Sequence, residues 1–146
     1  MIAAFVAALG LAFQAQESLA NLKKLQCTFA VQATGTWADG VPKADIKPAK
    51  LTVAFDNIDV GGGTADTIGQ FGPLHIIVRL TGSTIHFLHI DTGGALYLTT
   101  IFASAKGPLP GGTLRAVHTR HEYTEVSLPG FTSRPEQYYG ECTASY

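Results

Sequence analysis

Between His118 and Glu125 the chain reads HTRHEYTE, which sets two imidazoles, a guanidinium and two carboxylates within eight residues. Groups of these types can ligate a metal or pass protons. Backbone preference decides what the spacing allows. Val117, Thr119, Tyr123, Thr124 and Val126 are strand formers, and on a strand neighbouring side chains point to opposite faces. His118, Arg120 and Glu122 then share one face, and Val117, Thr119, His121, Tyr123 and Glu125 the other. The two histidines cannot close on one ion, and Arg120 would repel it. The protease pattern needs histidines four apart on a helix, with a glutamate beside the first. No metal is expected here. His118, Arg120 and Glu122 read as an outward row of mixed charge, and His121 and Tyr123 as inward residues beside Val117.

Other chemistry is sparse. His89 follows Ile85 and Phe87 on the apolar parity of its strand and is expected inside, whereas His75 and His86 fall on the outward parity. The loop SLPGFTSRPEQ, residues 127–137, is longer than a hairpin needs and holds Phe131 beside Arg134. Phe131 capping an open end while Arg134 meets an anionic group is one reading. A crossover pinned by Pro129 and Pro135 is the other. There is no G-x-S-x-G elbow, and GGGTAD lacks the lysine and helix of a phosphate cradle. No catalytic residue and no cofactor is assigned, and the expectation leans away from an enzyme.

The elements that must position these groups are strands. LQCTFAVQATGTW alternates from Leu25 through Cys27, Phe29, Val31 and Ala33 to Trp37, with Gly35 expected to mark a bend or bulge. KLTVAFDN and PLHIIVRLTG repeat the alternation. Further strands are expected over residues 65–69, 84–90, 96–103, 113–126 and 136–144. Asp39-Gly40, Gly82-Ser83, Gly93-Gly94 and Pro110-Gly111-Gly112 separate the runs. Only QESLANLKK, before Leu25, has a helical look. About eight short strands at this spacing predict an all-β, antiparallel up-and-down meander.

Cys27 lies in the first of these strands and Cys142 in the last. Two terminal cysteines read as one disulfide in an oxidising compartment, with two free thiols as the alternative. Bonding requires their Cα atoms to lie within about 7 Å, which makes the first and last strands neighbours. A closed barrel follows; a β-sandwich that joins its terminal strands is the runner-up.

The chain has 146 residues, 46% hydrophobic and 14% charged, with a formal net charge of −1. That composition supports one well-packed domain and lacks the basic patch of a nucleic-acid or membrane-surface binder. The uncharged run from Ile2 to Phe13 is too short to span a bilayer and has the length of a secretory core segment. Residues 1–20 are expected to be a cleaved signal peptide, with Gly10-Leu11-Ala12 and Ser18-Leu19-Ala20 both acceptable before a cut. A buried N-terminal helix is the alternative. Residues 21–146 then form a secreted or periplasmic barrel domain with no transmembrane anchor.

In strand count, turn spacing and terminal closure the layout resembles the small secreted meander barrels, lipocalin-like and avidin-like in outline. Gly35 and Trp37 stand at the lipocalin Gly-x-Trp spacing, but at the end of the first strand instead of its start. The first expectation for such a barrel is a non-enzymatic role in which a small, mostly apolar ligand is held inside. The expected lining is Phe29, Val31, Trp37, Phe55, Ile76, Phe87, His89, His121 and Tyr123, with Phe131 and Arg134 at an open end. The alternative is a solid module acting through the loop 127–137 on a protein or cell-envelope partner.

Overall fold

The computed structural model describes residues 19–69, 72–103, 112–125, 129 and 133–146. Eight strands follow one another: β1 (Lys24–Ala38), β2 (Val41–Asp59), β3 (Thr64–Gly69), β4 (Gly72–Thr81), β5 (Thr84–Ile90), β6 (Leu96–Phe102), β7 (Thr113–His121) and β8 (Glu136–Ser145). Each pairs antiparallel with the next, and β1 pairs with β8, so the sheet closes into one barrel. No helix among the described residues is long and apolar enough to cross a membrane.

Closure is made covalent at the seam. Cys27 and Cys142 are direct cross-strand partners, 3.9 Å apart at Cα, joined by a disulfide and fully buried. The bond spans 115 residues of sequence, so the denatured chain loses much of its freedom; loops of this length are worth about 4–5 kcal/mol.

The lower end, where both termini of the ring lie, is plugged. Leu19 and Leu22, in a short turn before β1, are fully buried and join Leu25, Ile58 and Val78 in the core. The plug is tied to the sheet by the Ile58 N–H donating to the Lys23 carbonyl at 3.1 Å and the Lys23 N–H to that of Ser145 at 2.9 Å. Of the expected helical stretch, Leu19 and Ala20 are helical and Asn21 is a turn; its residues before 19 lie outside the described ones, as does most of the expected signal segment.

β1 and β2 run well past their neighbours as a two-stranded ribbon capped by Asp39 (φ 52°) and Gly40 (φ 76°). Positive φ at both positions is the two-residue turn that matches strand twist. The ribbon half of β2 has no counterpart in the sequence expectation, and it carries Pro42 and Pro48, residue types rare inside sheets. The structure tolerates them because β2 meets β3 only from Phe55 onward, which leaves residues 41–54 at an edge where a missing N–H costs nothing. The same prolines, with Lys43, Lys47 and Asp45, discourage strand addition there.

The alternation of β1 breaks at Ala30 instead of Gly35. Phe29 pairs with Gly140 and Val31 with Tyr139, so Ala30 is an extra residue, a β-bulge. Past it the inward parity moves to even numbers. Gln32 is buried, while Val31 and Trp37, both expected inside, are 40% and 51% exposed.

Candidate functional site: a cavity in the upper barrel

Cross-strand register stacks the inward side chains of β5, β6, β7, β8 and β1 into tiers. The lowest of these is apolar: Ile85, Ile101, Ala116, Gly140 and Phe29. Above it run Phe87, Thr99, His118, Tyr138 and Gln32. The next tier is His89, Tyr97, Arg120, Glu136 and Thr34. The barrel is therefore greasy below and polar above, and one histidine sits at the boundary.

That histidine is His118, which is buried. The expected outward row of His118, Arg120 and Glu122 is corrected: Leu114, Ala116, His118 and Arg120 point in, and His121 is exposed on the outer face. The inward parity was assigned from Val117 and Tyr123, the larger apolar neighbours. Arg115, charged and flanked by Leu114 and Ala116, is the signal that gives the true parity. Tyr123 lies beyond the end of β7, 43% exposed, edge-on to Trp37 with ring centroids 5.1 Å apart. Arg134 lies over the Tyr123 ring at 5.2 Å and donates to the carbonyls of Thr124 and Ser133. Trp37, Tyr123 and Arg134 thus form an outer cluster, away from the interior. Phe131 lies outside the described residues.

His118 Nδ1 is 2.8 Å from Thr99 Oγ1, its neighbour on β6. Its ring is set among Phe29, Tyr97 and Tyr138 at centroid distances of 5.8 to 6.2 Å. Burial there pushes the imidazole pKa down to about 4, only partly countered by the Glu136 carboxylate. His118 is a neutral hydrogen-bonding group at physiological pH. Tyr138 donates its hydroxyl to Glu136 at 2.7 Å, and burial together with that bond pushes its pKa up to about 12.

Arg120 is engaged above. Burial disfavours its charge, but Glu122, to which it donates, and the nearby Tyr97 and Glu136 outweigh that and raise its pKa. It also donates to Ser133 at 3.1 Å and lies over the Tyr97 ring at 5.9 Å.

Beside these tiers the barrel is hollow. A cavity of about 430 Å³ runs from Val53 and Phe55 on β2, past Ile76 and Phe87, to Tyr97, Thr99 and His118. It reaches the upper end at Ile68, Leu74, His89 and Asp91. Of the residues expected to line an interior, Phe55, Ile76, Phe87 and His89 do so, and Phe29 lies in the core below them. Tyr97, Thr99 and His118 are lining residues that sequence reasoning missed. Among the described residues no three of His, Cys, Asp and Glu converge as metal ligands.

Comparison with protein-family models, with curated proteins and with solved structures finds no match to this chain.

Proposed function

We propose that this protein is an exported, non-catalytic barrel that holds a small, mostly apolar molecule in its upper cavity. The observation that carries this is the cavity itself: about 430 Å³ with a wall of Phe55, Phe87, Ile76 and Val53. Small-molecule sites occupy about 300–1,000 Å³ and combine apolar walls with a few placed polar groups. An eight-stranded barrel is just wide enough for side chains to fill or for one small ligand to enter. Here Thr99, and not a large apolar residue, faces Phe87 across the ladder, which keeps the space open.

Export is supported by the uncharged run from Ile2 to Phe13 and by the Cys27–Cys142 disulfide, since such bonds persist in oxidising compartments. Leu19 is fully buried in the plug, so a cut after Ala20 would remove a core residue.

A second reading, a module that contacts a partner through the loop 127–137, draws support from the exposed Trp37–Tyr123 pair next to Arg134. Native mass spectrometry of protein recovered from its exported compartment separates the two. A co-purifying small molecule supports the cavity function. The bare chain mass, with material retained on a partner through Trp37 and Tyr123, supports the surface module.

A further inference from the structure

The cavity lining joins aromatic and polar groups. Phe55 and Phe87 stack with centroids 4.2 Å apart and planes 18° from parallel. Next to Phe87 along the same tier stand Thr99 and His118, with Tyr97 one tier above. Among the described residues five of the lining side chains are rings: Phe55, Phe87, His89, Tyr97 and His118. A lining this rich in rings favours a ring-bearing occupant, because offset or edge-on ring contacts add to simple area burial.

The Thr99–His118 pair is the polar anchor of the deep end. One proton lies in the hydrogen bond between Oγ1 and Nδ1. If Thr99 donates it, Nε2 carries the other ring proton and is a donor, while Oγ1 keeps a spare acceptor site. If Nδ1 donates it, Nε2 is an acceptor and the Thr99 hydroxyl is free to donate. Either tautomer presents one donor and one acceptor, so the pair can meet a hydroxyl or a carbonyl equally well. No protein group hydrogen-bonds Nε2 among the described residues.

Charge sets the remaining limit. Among the described residues the lining holds no lysine or arginine, and its only carboxylate, Asp91, is exposed at the mouth. Arg120, the cation of the tier above, is held by Glu122 and Ser133. A carboxylate brought to the deep end would lose its water without gaining a counter-charge, which is costly. At about 30 Å³ per water, the volume equals about fourteen waters and sets the scale of the occupant's non-hydrogen atoms.

From these features we infer that the cavity selects an uncharged, ring-bearing molecule whose single hydroxyl or carbonyl group hydrogen-bonds the His118–Thr99 pair, and that it rejects the corresponding carboxylates. This rests on the cavity being a ligand site, as proposed above.

The test is displacement of the neutral fluorophore N-phenyl-1-naphthylamine from the intact protein at pH 7.5 by 2-naphthol, 2-naphthoate and 2-methylnaphthalene. The naphthol is expected to bind at least about tenfold more tightly than the naphthoate, and about fivefold more tightly than the methyl compound, the worth of one neutral hydrogen bond. His118→Phe and, independently, the nearly isosteric Thr99→Val should each bring naphthol to within about twofold of methylnaphthalene, with methylnaphthalene binding retained. Equal or tighter binding of naphthoate overturns the inference, as does a naphthol preference that survives in both variants or a failure of all three to displace a bound fluorophore. Failure of the fluorophore itself to bind overturns the cavity function as well.

Discussion

His118 Nδ1 and Thr99 Oγ1 face each other at 2.8 Å inside a closed barrel, one above a floor of aliphatic side chains and the other beside a stacked phenylalanine. A buried imidazole held neutral in this way makes folding sensitive to acid.

The folded pKa of His118, about 4, lies below its ordinary value of 6.5, so the native state binds fewer protons than the unfolded chain between those values. Stability from this group is complete above pH 6.5 and is lost as pH falls through 4, amounting to about 3 kcal/mol over the window. The groups around the ring are Thr99 and Tyr97 on β6, Tyr138 and Glu136 on β8, Arg120 on β7 and Phe29 on β1. Of these the Glu136 carboxylate opposes the shift. Urea denaturation at pH 7 and pH 4.5 should show this loss in the wild type and little of it in His118→Phe. An equal loss in the variant would assign the acid sensitivity elsewhere.

Gly140 sits against the bulge of β1. A Cβ built on it would fall on the Thr28 carbonyl oxygen and within 2.7 Å of the Phe29 Cα, both backbone atoms that cannot step aside. Gly140→Ala should therefore destabilise by about 2–3 kcal/mol and raise amide exchange along the β1–β8 seam. Wild-type stability in this variant would mean the strands are not so close.

The disulfide closes the same seam one rung below. Replacing both cysteines by alanine should lower unfolding free energy by about 4 kcal/mol, read from chemical denaturation under non-reducing conditions. No difference between the variant and the oxidised wild type would remove the bond from the seam's stability.

Leu19 is wholly buried in the lower plug, and losing a buried leucine costs about 2–5 kcal/mol. The intact mass of the exported chain should correspond to a cut upstream of Leu19. A mature chain starting at Asn21 with undiminished stability would contradict the plug.

Much of this architecture is legible in the sequence. Strict alternation in LQCTF, KLTVAF and IIVRL, with glycine-marked turns between them, places most strand cores, and the two cysteines give closure. Facing is harder, because one inserted residue reverses it. Ala30 carries no sign that it is a bulge, and so simple alternation puts Val31 and Trp37 inside although they lie outside. In β7 the inner side chains become polar toward the upper end, so a rule that sends apolar residues inward chooses Val117 over His118. The polar tier depends on register across five strands, and no single strand encodes it. Pro42 and Pro48 are residue types rare inside sheets, and their harmlessness in the ribbon half of β2 depends on an absent neighbour, a property of topology.

A hollow barrel has a direct test. Val53 lines the cavity from β2, and Val53→Trp should fill it while leaving Thr99 and His118 in place. Titration of the wild type with N-phenyl-1-naphthylamine is expected to give a saturable rise in fluorescence at one molecule per chain, with the rise abolished in a folded Val53→Trp. A wild type that shows no saturable rise, or a variant that binds as well as the wild type, would contradict a ligand held in this cavity.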